Sequence, residues 1–203
     1  MITGPKYKIC KRLGSAIFEK CQTAKFAARA ENAPVKRKGR GGAMSEFKRQ
    51  LTEKQKMRLS YGITEKQLSR YVDESLEMAG DPAKTLVDRL ESRLDNVIYR
   101  MGIAKTRRLA RQMVSHGHIT VNGRKMTIPS YKVEQGDIIS VRAGSRISPL
   151  FATLGEQLAS STTPAWITFD AAKLEGSKRA EPQSVIASDH LFDPVQVLQF
   201  YSR

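Results

Sequence analysis

Between Ser45 and Ser115 apolar residues recur at helical spacing; beyond Gly117 they alternate with polar ones. Phe47, Leu51 and Leu59 mark a first helix over 45–61, which Gly62 ends. Thr64 with Gln67 three residues on is a capping-box start for a second helix through Met78, carrying Leu68, Tyr71, Val72 and Leu76. Gly80 closes it, and Asp81-Pro82 places an N-cap before a proline at the first helical position. Leu86, Val87, Leu90, Leu94, Val97, Ile98 and Met101 then share an arc of roughly 120°, so the spacing predicts one core-facing amphipathic helix through this stretch. On it, Arg89, Arg93 and Arg100 fall along one edge, and Asp88, Glu91 and Asp95 along the other. Gly102 can take positive φ, and Thr106 offers a hydroxyl cap for a following helix with Leu109, Ala110, Met113 and Val114 on its inner face. Gly117 ends that helix. Ile119 and Val121, followed by Asn122-Gly123, read as a hairpin. Pro129 bars the middle of a strand, Gln135-Gly136-Asp137 marks a turn, and Ile138, Ile139 and Val141 make a further strand.

The remainder is less regular. Residues 1–44 are basic, aperiodic and interrupted by Pro34 and the run Val35 to Gly42. They are expected to form an arm that orders only on RNA, with Tyr7, Ile9, Leu13, Ile17, Phe18 and Phe26 as some apolar anchorage. After Arg142, Leu150 to Ala159 shows a weak helical pattern and Ser160 to Pro164 reads as a linker. Trp166, Ile167 and Phe169 read as a strand, Asp170 to Gly176 as a turn-rich connection, and Val195 to Tyr201 as a closing strand or helix that docks on the helical bundle. The fold class is therefore α+β, with a basic extension (1–44), a helical domain (45–91), a helix-helix-small antiparallel sheet module (92–155) and a C-terminal segment (156–203) returning to the helical domain.

Charge narrows the function. The net charge is +15 over 203 residues. Residues 1–58 hold 16 Lys/Arg against 4 Asp/Glu, and residues 93–132 hold 9 against 1, so the excess lies in two blocks, as a polyanionic partner requires. Cys10 and Cys21 are the only cysteines, too few for a disulfide framework or a cysteine-rich zinc site. No apolar run is long enough for a membrane span and the N-terminus has no signal-like apolar region, which points to a cytoplasmic address and no membrane partner. Neither a phosphate-binding glycine loop nor an H-E-x-x-H metal motif occurs, and no nucleophile–base spacing is forced, so no catalytic residue, metal site or cofactor is expected.

A nucleic-acid surface is expected instead. Its candidates in the module are Arg93, Arg100, Lys105, Thr106, Arg107, Arg108, Arg111, His116, His118, Asn122, Arg124 and Lys125. Arg107, Arg108 and Arg111 are expected around the solvent side of their helix. Upstream the candidates are Arg37, Lys38 and Arg40 in the arm and Lys48, Arg49, Lys54, Lys56 and Arg58 on the first helix. Tyr99 could stack on a base or pack half-buried. Asp88, Glu91 and Asp95 are read as partners of the basic module or as solvated, not as a catalytic set. An RNA-modifying enzyme using the module as a tether, or a duplex-DNA helix-turn-helix regulator, are the competing classes.

The segments L-E-S-R-L-D-N-V-I-Y-R-M-G (Leu90 to Gly102), A-R-Q-M-V-S-H-G-H-I-T-V-N-G-R (Ala110 to Arg124) and P-S-Y-K-V (Pro129 to Val133) resemble the bacterial small-subunit ribosomal protein S4 family. So do G-P-K (Gly4 to Lys6), Leu51 to Gln67, P-A-W-I (Pro164 to Ile167) and the ending F-Y-S-R (Phe200 to Arg203). Similar central modules occur in pseudouridine synthases, tyrosyl-tRNA synthetases and a heat-shock ribosome-binding protein, but the flanking segments are too short and too basic for those catalytic domains. The resemblance implies a structural constituent of the small ribosomal subunit. Such a protein binds a folded rRNA junction as a primary binder, nucleates assembly of the subunit body and contributes to translational accuracy. It also implies ribosomal proteins S3 and S5 as neighbours and no homo-oligomer. With two cysteines, the chain resembles the zinc-free branch.

Overall fold

The computed structural model describes residues 4–31, 45–152, 163–170, 173–182 and 191–202. The chain forms two compact units that part within one helix: residues 1–86 with 186–203, and residues 87–185.

The first unit is helical. Helix α1 (Lys6–Leu13) ends on Gly14 at φ 66°, a short 3-10 turn spans Glu19–Cys21, and α2 (Ala24–Glu31) follows. Residues 4–31 of the aperiodic arm thus hold regular structure. Cys10, Leu13, Ile17, Phe18 and Cys21 close over Leu59 as a small core of their own. Tyr7 stacks on Phe26 at 5.6 Å, and Lys6 and Lys20 lie over the rings of Phe18 and Tyr7. Aperiodicity concealed this: the apolar side chains are spread over two short helices and a turn, so no single face repeats. Burial, reinforced by the adjoining Cys10 thiol, pushes the Cys21 thiol up to about 12, and both cysteines are free. The run Val35 to Gly42 lies outside the described residues.

Helix α3 (Glu46–Tyr61) starts on the Ser45 hydroxyl and ends on Gly62 at φ 62°. Helix α4 (Glu65–Glu77) carries the capping box: Thr64 Oγ accepts from the Gln67 amide, and Gln67 Oε1 accepts from the Thr64 amide. Asp81 Oδ1 accepts from the Ala83 amide at the start of α5 (Pro82–Glu91).

The closing segment is a helix, here α10 (Pro194–Tyr201), packed on α3 and α4. A polar clasp fixes it. Glu65 Oε1 accepts from Lys54 Nζ and from the Tyr201 hydroxyl, each at 2.7 Å, while the same ammonium lies 4.2 Å from the Phe200 ring centre. At the other end, Glu53 Oε2 accepts from the Asp193 amide.

The second unit opens with a break. The single helix expected from Leu86 through Met101 is interrupted at Ser92-Arg93, where Arg93 is extended (φ −67°, ψ 138°), and it resumes as α6 (Leu94–Arg100). No side chain caps α6. Its first amides are taken by carbonyls of a distant loop: Leu94 N–H by Tyr131 and Asp95 N–H by Pro129, while Ser92 C=O receives the Val133 amide. Because the partners lie some 35 residues away, no local signal marks the break.

Gly102 turns at φ 79°, Thr106 Oγ accepts the Leu109 amide, and α7 (Arg107–Ser115) runs to Gly117 at φ 72°. Strands β1 (Ile119–Val121) and β2 (Arg124–Met126) meet at Asn122-Gly123, both with positive φ (50° and 76°). Strand β3 (Ile138–Val141) pairs with β1. Two short helical turns follow, α8 (Ala143–Arg146) and α9 (Pro149–Ala152).

The hairpin of β4 (Ile167–Asp170) and β5 (Glu175–Lys178) then completes an antiparallel sheet in the order β2-β1-β3-β5-β4. The C-terminal segment is therefore divided. Its hairpin belongs to the second unit, and only its last helix to the first. The pattern expected over Leu150 to Ala159 and the linker after it fall mostly outside the described residues.

Leu94, Val97 and Ile98 of α6 with Met101 just after it, Ala110, Met113 and Val114 of α7, and Ile119, Val121, Ile139, Val141 and Ile167 of the sheet form one core. Each large side chain there contributes about 1.5–3 kcal/mol by leaving water. Met101 also crosses to the far hairpin: a Cβ at Gly176 would lie 2.8 Å from its terminal methyl and 2.7 Å from the Thr168 carbonyl. Lys178 is buried in the same layer. Its ammonium donates to Ser92 Oγ (2.9 Å), to the Val133 carbonyl (3.3 Å) and to Glu181 (3.0 Å), tying the hairpin to the break before α6.

Two outcomes follow from these polar ties. Lys178→Ala strands the Ser92 hydroxyl and is expected to lower the urea unfolding free energy by about 2–4 kcal/mol. Burial opposes charge on Glu65, but the hydrogen bonds from Lys54 and Tyr201 and the Lys54 and Arg58 charges outweigh it and hold its carboxyl below the ordinary range. The clasp is thus at full strength above the ordinary carboxylate value and weakens as pH falls through the depressed one. Glu65→Gln should cost about 1 kcal/mol or less at neutral pH after solvent screening, and the gap to wild type should close in acid denaturation series.

Candidate nucleic-acid interface

The basic module begins with a buried charge lattice. Arg93, 4% exposed in its side chain, donates from Nε to Asp95 Oδ1 (3.1 Å) and from Nη2 to Asp95 Oδ2 (2.9 Å). Arg111 reaches back from α7 to the same Oδ2 through Nε (2.9 Å) and Nη2 (2.6 Å). Glu91, fully buried, accepts from Arg100 Nε at 2.9 Å and Nη2 at 3.0 Å and lies 4.0 Å from Arg107. Asn96 braces the break. Its amide nitrogen donates to the Glu91 carbonyl and carboxylate, and its oxygen accepts from Arg107 Nε at 2.7 Å. The Arg107 guanidinium also stacks 4.5 Å from the Tyr99 ring centre.

Four of the candidate RNA contacts therefore face carboxylates of the protein. Arg93 and Arg100 act as struts, and Arg107 and Arg111 pair with these acids where full solvent exposure was expected, Arg111 keeping 31% of its side chain exposed. Of the acids read as one edge of an uninterrupted helix, Asp88 is half-buried, while Glu91 and Asp95 are buried at 0% and 2%. The break at Ser92-Arg93 is what turns both inward.

Other candidates also do internal work. Lys54 is buried on Glu65, Lys56 pairs with Glu53 at 2.7 Å, and Arg58 donates to Gln55 and lies 3.7 Å from Glu65. Thr106 spends its hydroxyl on the α7 cap. Asn122 ties the β1–β2 turn to β3, donating to Asp137 and accepting from the Ile138 amide. His118 Nδ1 lies 3.0 Å from the Ser145 hydroxyl, and its ring meets Phe151 edge-on. Arg37, Lys38 and Arg40 lie outside the described residues.

The exposed candidates are fewer and more sharply placed. Lys105, Arg108, His116, Arg124 and Lys125 are exposed in the second unit, as are Lys48 and Arg49 in the first. Arg108 stands in the first turn of α7, and Lys48 and Arg49 stand at the start of α3. There a cation opposes the positive end of the helix dipole, so fold stability gives no reason for the placement. No acidic residue occupies the first turn of α7 to compensate.

Around the α7–β1 corner, Lys125 lies against Gly117, where any side chain would collide with it, and Arg142 donates its amide to the His118 carbonyl. Arg142 and Lys132, both exposed, were missed in the sequence. They follow a strand and a turn, and nothing in their local pattern marks them. Lys8, Lys11 and Arg12 on α1 were counted only as charge and are exposed as well.

Among the described residues no group of three His, Cys, Asp or Glu side chains could hold a metal. No described helix is long and apolar enough to cross a membrane.

The two classes of arginine separate by stability. Arg93→Gln takes from buried Asp95 the more deeply buried of its two guanidinium partners and should cost about 3–5 kcal/mol in urea unfolding. Arg108→Gln should change the same measurement by no more than about 0.5 kcal/mol.

Comparison with known proteins places this geometry. Residues 1–91 match the family model described as the Ribosomal protein S4/S9 N-terminal domain, and residues 92–139 match the S4 domain. The chain is 42% identical over 205 residues to the small ribosomal subunit protein uS4 of Halalkalibacterium halodurans, covering 99% of this chain and 98% of that protein. It is 44% identical over 207 residues to the uS4 protein of Persephonella marina, covering 98% and 97%. With that of Acetivibrio thermocellus it shares 43% over 184 residues, covering 89% and 88%. A helical N-terminal unit, a break-and-lattice helix pair and a small sheet, matched in sequence along nearly the whole length of these relatives, make this chain a member of the bacterial ribosomal protein S4 (uS4) family.

Proposed function

We propose that the chain is a structural, non-enzymatic constituent of the small ribosomal subunit that binds folded small-subunit rRNA through the exposed cations of both units. The observation that carries this reading is Arg108. It is exposed at the positive end of α7, where it costs the helix stability and can be explained by an anion outside the protein. Lys105 just before it, and the corner of His116, Lys125 and Arg142, continue the same chemistry.

Recognition by phosphate position and shape suits such a patch. A folded RNA hides its base edges in a deep groove and presents backbone. Lys8, Lys11, Arg12, Lys48 and Arg49 supply the second cationic region, and Arg37, Lys38 and Arg40 extend its charge in sequence. By membership of the family, the protein acts as a primary binder at an rRNA junction, nucleates assembly of the subunit body and contributes to accuracy, with ribosomal proteins S3 and S5 as neighbours and the cytoplasmic ribosome as its location. The module and the helical first unit are the two parts through which it grips the RNA.

Filter binding to folded small-subunit rRNA across a salt series tests the reading. Lys105→Glu with Arg108→Glu should weaken binding by one to two orders of magnitude and lower the slope of log K against log salt by about one to two. Curves that superimpose on wild type would refute the assignment of this face.

A further inference from the structure

Building on that reading, we propose that Asp95 is a positioning residue for RNA binding: its buried carboxylate holds the Arg111 guanidinium at the α7 surface in the orientation in which a phosphate receives it. Neutralising Asp95 does not by itself require Arg111. Arg93 already engages both Asp95 oxygens with a two-bond fork and is itself buried, so the acid has a full partner at the break just before α6. Arg111 adds a second fork onto Oδ2 from a different helix. Its side chain remains 31% exposed, against 4% for Arg93.

Arg111 lies one turn beyond Arg108, so the two share a face of α7. Arg108 is an exposed surface cation, and Arg111 is locked onto Asp95. Ordering a long side chain is a main cost of association, and here that ordering is completed during folding. Arg107 is held in the same manner, by the Asn96 oxygen, by Glu91 and by the Tyr99 ring.

The sign of the charge effect gives a test that fold stability does not imitate. Asp95→Asn raises the net charge by one, so Coulomb attraction alone predicts tighter RNA binding. The positioning role predicts weaker binding, by about tenfold, in a protein whose far-ultraviolet dichroism is unchanged. In a mutant cycle, D95N/R111Q should bind no more weakly than R111Q alone. Binding by D95N as tight as wild type, or a double variant whose loss is the product of the two single losses, overturns the proposal.

If D95N does not fold, R111K serves instead. It keeps the charge but cannot form the fork, and it is expected to lose nearly as much affinity as R111Q. R111K binding like wild type overturns the proposal. A wild-type protein that fails to bind the rRNA refutes the proposed function and this inference together, whereas wild-type binding with D95N unaffected overturns the inference alone.

Discussion

The structure of the module depends on two buried carboxylates, Glu91 and Asp95, each shared between arginines of different segments. Charges are costly to remove from water, and a buried pair breaks even only when geometry and further hydrogen bonds are good. Here both conditions are met by the break at Ser92-Arg93. Were the helix continuous, the two acids would project along its flank, where the spacing of the sequence puts them. Interrupting it directs Glu91 toward Arg100 and Arg107, and Asp95 toward Arg93 and Arg111. The break is held by Tyr131, Pro129 and Val133 of one loop and by Lys178 of the far hairpin, so the lattice, the loop and the sheet are mutually conditional.

That dependence explains the division among basic residues. A chain carrying so many arginines in two short helices faces like-charge repulsion at every turn. Pairing Arg93, Arg100, Arg107 and Arg111 with Glu91 and Asp95 removes that strain and stiffens the helix pair, so that the remaining cations are presented from a rigid base. The exposed ones then stand where helix electrostatics disfavour them, at the starts of α3 and α7. A polyanion reverses that penalty.

The helical unit uses the same device on a smaller scale. Glu65 gathers Lys54 and Tyr201 and thereby fixes the final helix on α3, withdrawing Lys54 from the surface. Its N-terminal part shows that a basic, aperiodic segment can still fold. Six apolar residues and two cation–ring contacts suffice when one of the six, Leu59, is supplied by an established helix.

The sequence alone determined the local elements. The Thr64 and Thr106 caps, the terminating glycines 62, 102 and 117, the Asn122-Gly123 turn and the α+β class are all written in residues close to one another, because capping and turn chemistry act within four residues. Two clustered blocks of charge also pointed to a polyanion without reference to the fold. Only tertiary structure decided which cations are tied to acids of the protein. Arg93, Arg100, Arg107 and Arg111 look like Arg108 in the sequence, and what distinguishes them is a pair of acids whose direction is set by a helix break capped from more than thirty residues away. The attachment of the β4–β5 hairpin to the module was decided in the same way, since strand pairing and buried ion pairs depend on partners that sequence proximity does not reveal.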